Sequence, residues 1–227
     1  MNRRTSILTG LAALGVGGWY FGSNSNPQGL PNSTLIGAAN AQTAGTEADI
    51  DTSTIPDMIA GNPEATVEVI EYASYTCPHC ANFHAEGYKM LKADFIDTGK
   101  IRFVYREVYF DRFGLWASLV ARCGGPEKFF GITDLIYAGQ SEWSRAGDPA
   151  AIVEELRKIG RLAGMDSETL EACLQDGDKA RTLVAWFKEN AEEHGIDSTP
   201  SFVINGTKYS NMPYDEMKAI IEGELDA

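Results

Sequence analysis

Cys77-Pro78-His79-Cys80 is the stretch of the chain with the most chemistry in it. Two cysteines spaced C-x-x-C can close a small disulfide ring, or present one attacking and one resolving sulfur. A thiol at a helix N-terminus faces unpaired backbone N–H groups and the positive end of the helix dipole, and both favour thiolate. His79, one residue before the second sulfur, can donate a hydrogen bond to that thiolate or meet it as imidazolium. A stabilised thiolate leaves easily, which makes the matching disulfide a stronger oxidant. The competing chemistry is a metal site, since Cys77, Cys80 and His84 read C-x-x-C-x-x-x-H. No second Cys/His pair completes a closed tetrahedral site, so the residues favour redox work and no metal.

The elements that must hold this pair follow from periodicity. Thr66–Tyr72 mixes β-branched, apolar and aromatic residues and predicts a buried strand. Pro78–Asp97 has helical spacing, with Cys80, His84, Tyr88, Leu91 and Phe95 on one face. Thr76 is the candidate cap, Pro78 a tolerated first-turn proline and Gly99 the stop. Ile101–Val108 is a second strand, giving a βαβ unit with parallel pairing. A long helical stretch follows, including a helix opened by Asp148-Pro149 and others around Leu170–Leu174 and Ala180–Ala191. Ser201–Asn205, Gly206 and Thr207–Ser210 read as two short strands with a glycine turn, and a last helix runs from about Pro213 to Glu222. The expected architecture is an α/β domain split by a helical insertion, roughly Phe113–Glu189.

Glu71-Tyr72-Ala73-Ser74-Tyr75-Thr76-Cys77-Pro78-His79-Cys80, followed by Phe83, resembles the active-site segment of DsbA-like thiol:disulfide oxidoreductases. Ser198-Thr199-Pro200-Ser201-Phe202-Val203-Ile204-Asn205-Gly206 resembles the loop where thioredoxin-fold proteins carry a cis-proline beside the active site. Their joint occurrence about 120 residues apart, with the same element order, makes the resemblance specific over about Ile59–Glu222. It implies a thioredoxin-like domain formed by 59–112 and 190–227, with an inserted helical domain at 113–189. It implies that Cys77 is the exposed attacking sulfur and Cys80 the buried resolving one, and that Thr199 and Pro200 present backbone to the substrate chain. Glu71 becomes the carboxylate beneath the active site, a proton carrier when Cys80 reacts; without the resemblance it reads as a strand-end surface acid. Threonine before the proline also occurs in disulfide isomerases, which leaves oxidase against isomerase open. Cys123 and Cys173 read as a structural disulfide in an oxidising compartment, and some DsbA-like proteins have such a second bridge; a regulatory bridge is the alternative. His84 reads as a core-packed histidine, and His194 as a helix-end cation.

The remaining composition bounds the rest. The 227 residues carry 32 acidic and 19 basic side chains, a net charge of −13, which excludes a nucleic-acid binder working through a basic surface. Four cysteines are too few for a disulfide scaffold, so apolar burial must hold the fold. The first 46 residues contain only Arg3 and Arg4 as charged side chains, and Ile7–Phe21 is an apolar run of fifteen. That length suits a signal peptide, with an uncleaved anchor as the alternative. Ala39-Asn40-Ala41 fits a cleavage site, giving a leader over 1–41, a flexible linker over 42–58 and export to the periplasm by either the general or the twin-arginine route. The expectation is an exported, monomeric thiol:disulfide oxidoreductase without organic cofactor, acting on reduced, unfolded exported proteins and reoxidised by a membrane quinone-linked oxidase. The alternatives are an isomerase or reductase of the same fold, or a non-catalytic chaperone module.

Overall fold

A computed structural model describes residues 50–227. The leader over 1–41 and the start of the linker, to residue 49, lie outside the described residues. The sheet is β1 (Met58–Gly61), β2 (Val67–Ala73), β3 (Ile101–Glu107), β4 (Ser201–Ile204) and β5 (Thr207–Ser210), in the order β1-β3-β2-β4-β5. β2 and β3 run parallel, as a crossover helix requires, and the other pairings are antiparallel. β2 is central and almost wholly buried, although its sequence carries Glu68 and Glu71 among the apolar residues. Its side chains still alternate between two cores. Val69 and Ala73 face the larger one, with Phe103 and Phe202, while Ile70 and Tyr72 face a smaller one with Val104 and Val203. Glu71 stands between Val69 and Ala73 in that alternation, which places a carboxylate on the larger core's side.

The crossover from β2 to β3 differs from the single helix expected. α1 (Pro78–Ala85) and α2 (Gly87–Leu91) are separated by Glu86 at φ −128°, ψ −71°, and a π-helical turn, Lys92–Ile96, follows. A Cβ on Gly87 would stand 2.7 Å from the Phe83 ring, so the break lets the backbone pass close to that side chain. The five face residues are nevertheless all buried, from Cys80 to Phe95. Thr76 does not cap the helix; Cys77 occupies the N-cap without a side-chain cap bond.

Between β3 and β4 the chain is helical: α3 (Arg112–Cys123), α4 (Pro126–Ala138), α5 (Gln140–Trp143), α6 (Pro149–Leu162), α7 (Ser167–Leu174) and α8 (Gly177–Glu193). Asp111, Asp148, Asp166 and Asp176 cap α3, α6, α7 and α8 with their carboxylates, so part of the acidity serves helix starts. α9 (Tyr214–Leu225) closes the chain. In the β4–β5 hairpin Asn205 and Gly206 have φ of 43° and 83°, the two positive values a two-residue turn needs.

The stretch 50–58 is part of the fold, not linker. Ile55 and Met58 are buried, Asp57 pairs with Arg106, and β1 begins at Met58 and pairs with β3. A composition dominated by turn residues conceals two apolar anchors there. Among the described residues, no helix is long and apolar enough to cross a membrane.

Candidate active site

β2 ends at Ala73, and Ser74-Tyr75-Thr76 turns the chain into α1, with Cys77 N–H bonded to the Ser74 carbonyl at 3.0 Å. The insertion clamps this turn. Gln140 Nε2 donates to the carbonyls of Tyr75 (2.8 Å) and Cys77 (2.9 Å), Tyr137 donates to that of Ser74 (3.2 Å), and Thr76 donates to Asp111 (2.8 Å). A buried amide satisfied by two carbonyls fixes the backbone that carries the sulfur.

Cys77 and Cys80 are both free thiols and both buried, so Cys77, expected to be exposed, keeps only 8% of its surface open, against none for Cys80. The Cys77 thiolate is favoured so strongly that its pKa falls to about 5. The largest cause is a hydrogen bond from the Cys80 thiol. Burial opposes the shift, and the Thr199 hydroxyl and the backbone N–H groups of Cys80 and His79 add to it. As a thiol, Cys77 donates to the Thr199 carbonyl at 3.4 Å, while the Thr199 hydroxyl is buried with no partner in the protein, free to turn to a thiolate. Cys80 has no exposed surface, and its pKa is pushed far up, first by that burial, then by its bond to Cys77 and the charge on Glu71. One sulfur is poised as nucleophile or leaving group, and its neighbour is held as a thiol.

The other expected residues fall around this pair. Thr199–Pro200 is a cis peptide, and its carbonyl side meets Cys77. His79 is exposed at the first turn of α1. Glu71 is fully buried and not a surface acid; its Oε2 lies 3.0 Å from His84 Nε2. His84 is packed, as expected, against the rings of Tyr88 and Tyr137, at centroid distances of 4.6 and 4.3 Å, yet it is also the partner of Glu71. His194 ends α8 and meets the Tyr72 hydroxyl at 2.6 Å. Cys123 and Cys173 are joined by a disulfide that ties α3 to α7. A cleft of about 560 Å³ beside Pro78 and Asn82 is bounded on the insertion side by Phe113, Gln140 and Arg145.

Three supports escape sequence reasoning. Gln140 and Asp111 are distant in the chain and carry no motif. The Glu107–Arg122 pair, with nitrogen–oxygen distances of 2.6 Å, is buried under the sheet end and takes in Ser118 and the Pro56 carbonyl. Only His84 had a local signal, four residues after Cys80 on the same helix face.

Residues 53–223 match the thioredoxin family model. A putative protein-disulfide oxidoreductase of Rickettsia bellii is 35% identical over 171 residues, 75% of this chain and 65% of the relative, so the chain spans less than two thirds of that protein. Disulfide bond formation protein D of Bacillus subtilis is 27% identical over 176 residues, 74% of this chain and 76% of the relative. A crystal structure of alpha-DsbA1 from Wolbachia pipientis shares the fold, with a TM-score of 0.70 and 24% identity over 77% of this chain and 94% of that one.

Proposed function

The chain belongs to the thioredoxin family, in its DsbA-like branch, and from that premise we propose that it is an exported enzyme that puts disulfides into newly translocated proteins. The substrate's thiolate attacks Cys77 Sγ of the Cys77–Cys80 disulfide. The sulfur–sulfur bond breaks, its electron pair goes to Cys80, and Cys80 takes a proton. The substrate's second thiolate then attacks its own sulfur in the mixed disulfide, and Cys77 departs as thiolate. Two electrons pass from substrate to enzyme, and the substrate leaves with a disulfide. The Cys77–Cys80 pair is the redox group, so no organic cofactor or metal enters the scheme. Thr199 and Pro200 offer backbone to the substrate segment at the sulfur, and Glu71 handles the Cys80 proton. A membrane quinone-linked oxidase would return the pair to the disulfide, with the enzyme working in the periplasm as a monomer.

The observation that carries this reading is the contrast between the two sulfurs. A Cys77 thiolate that is stable at neutral pH favours the reduced enzyme and therefore a disulfide that oxidises others. The test is oxidative refolding of a reduced multi-cysteine protein, beside refolding of a scrambled one, with wild type and Cys77→Ala. Wild type should form disulfides in the reduced protein and the variant should not. Activity confined to scrambled protein would assign an isomerase, and equal behaviour of wild type and variant would leave only a binding or chaperone module.

A further inference from the structure

When Cys80 leaves as thiolate it needs a proton at a place without exposed surface. Glu71 is close enough for its charge to act on that thiol, but Glu71 is itself fully buried and must be reprotonated through the protein. His84 is the titratable side chain bonded to it. Two atoms of this pair, Glu71 Oε1 and His84 Nδ1, are buried with no partner in the protein. A buried polar atom without a partner calls for an explanation, and a role in proton transfer is one that accounts for both ends of the pair. The imidazole also lines a cavity of about 330 Å³ shared with Lys89 and Asp134. The phenols that surround it, Tyr88, Tyr105 and Tyr137, are driven by burial to stay protonated.

We propose that His84 is a positioning and relay residue that returns protons from the Asp134 cavity to Glu71, and through it to Cys80. Glu71 gives its carboxyl proton to the Cys80 sulfur as the disulfide opens. The proton on His84 Nε2 moves to Glu71 Oε2, and Nδ1 takes one from water in the cavity. One solvent proton is consumed per Cys80 thiolate neutralised, and no electrons move along this path. The inference rests on the exchange chemistry proposed for Cys77–Cys80.

The test measures how fast dithiothreitol reduces the Cys77–Cys80 disulfide, followed by acid quench and mass analysis of alkylated thiols. His84→Ala should slow the step about tenfold or more, the low end of what positioned proton transfer contributes. Added imidazole should restore most of the rate, and thiophene, a ring of similar size without an exchangeable proton, should not. His84→Gln keeps a hydrogen bond to Glu71 and fills the site; it should be slow and unresponsive to imidazole. A wild-type rate in His84→Gln, or equal rescue by thiophene, overturns the proposal even if His84→Ala does not fold. Dithiothreitol requires no protein substrate, so a failed refolding assay would remove the proposed function and leave the relay standing, and the reverse.

Discussion

At Cys77 several weak favours converge on one sulfur: the Cys80 thiol, the Thr199 hydroxyl and two backbone N–H groups. The folded pKa, about 5, lies below that of an unfolded thiol, about 8.5. The thiolate therefore stabilises the reduced folded protein fully above the unfolded value, and that stabilisation is lost as pH falls through the folded one. Titration of the thiolate's ultraviolet absorbance in the reduced protein should show an inflection near 5 that vanishes in Cys77→Ala. An inflection in the range of a free thiol would mean that the helix start and Thr199 do not act on this sulfur. The C-x-x-C pair was legible because its chemistry needs only neighbours along the chain. Gln140 was not, because its value lies in two carbonyls more than sixty residues away.

At the scale of elements, α3 has a double task. Asp111 caps it by accepting from Phe113 and Gly114, and its other oxygen holds Thr76 next to Cys77. Asp148 caps α6 and serves no such contact with the site. Each aspartate changed to alanine should cost about 1 kcal/mol in urea unfolding. Only Asp111→Ala should also slow thiol exchange at Cys77, and equal exchange in the two variants would show that the Thr76 contact is idle. The crossover helix shows what periodicity misses: the apolar face of 78–97 persists through a break at Glu86 and a π turn, since burial constrains which side chains point inward more than it constrains the backbone between them.

For the molecule as a whole, a buried ion pair ties the helical insertion to the sheet, and a disulfide ties two helices within the insertion. Arg122 joins α3 to Glu107 at the end of β3 and to Pro56, and the next residue, Cys123, bridges to Cys173 on α7. In the loop-entropy picture, a bridge over a sequence separation of 50 is worth roughly 4 kcal/mol. Replacing both cysteines by alanine should lower the unfolding free energy in urea by up to that amount. No measurable loss would assign the bridge to something other than stability.

The sequence by itself determined the C-x-x-C pair, the parallel βαβ unit and the glycine turn between the last two strands, because local spacing and backbone freedom act over a few residues; it missed β1, whose pairing with β3 lies more than forty residues away. It also marked Glu71, though only as one of two readings, since a carboxylate at a strand end is as much at home in water. Tertiary structure alone decided that Glu71 is buried against His84, that 50–58 is packed, and that Gln140 and Asp111 hold the turn that carries Cys77. Each of those depends on which face of one element meets another, and the free energy of burial and pairing is set there rather than along the chain.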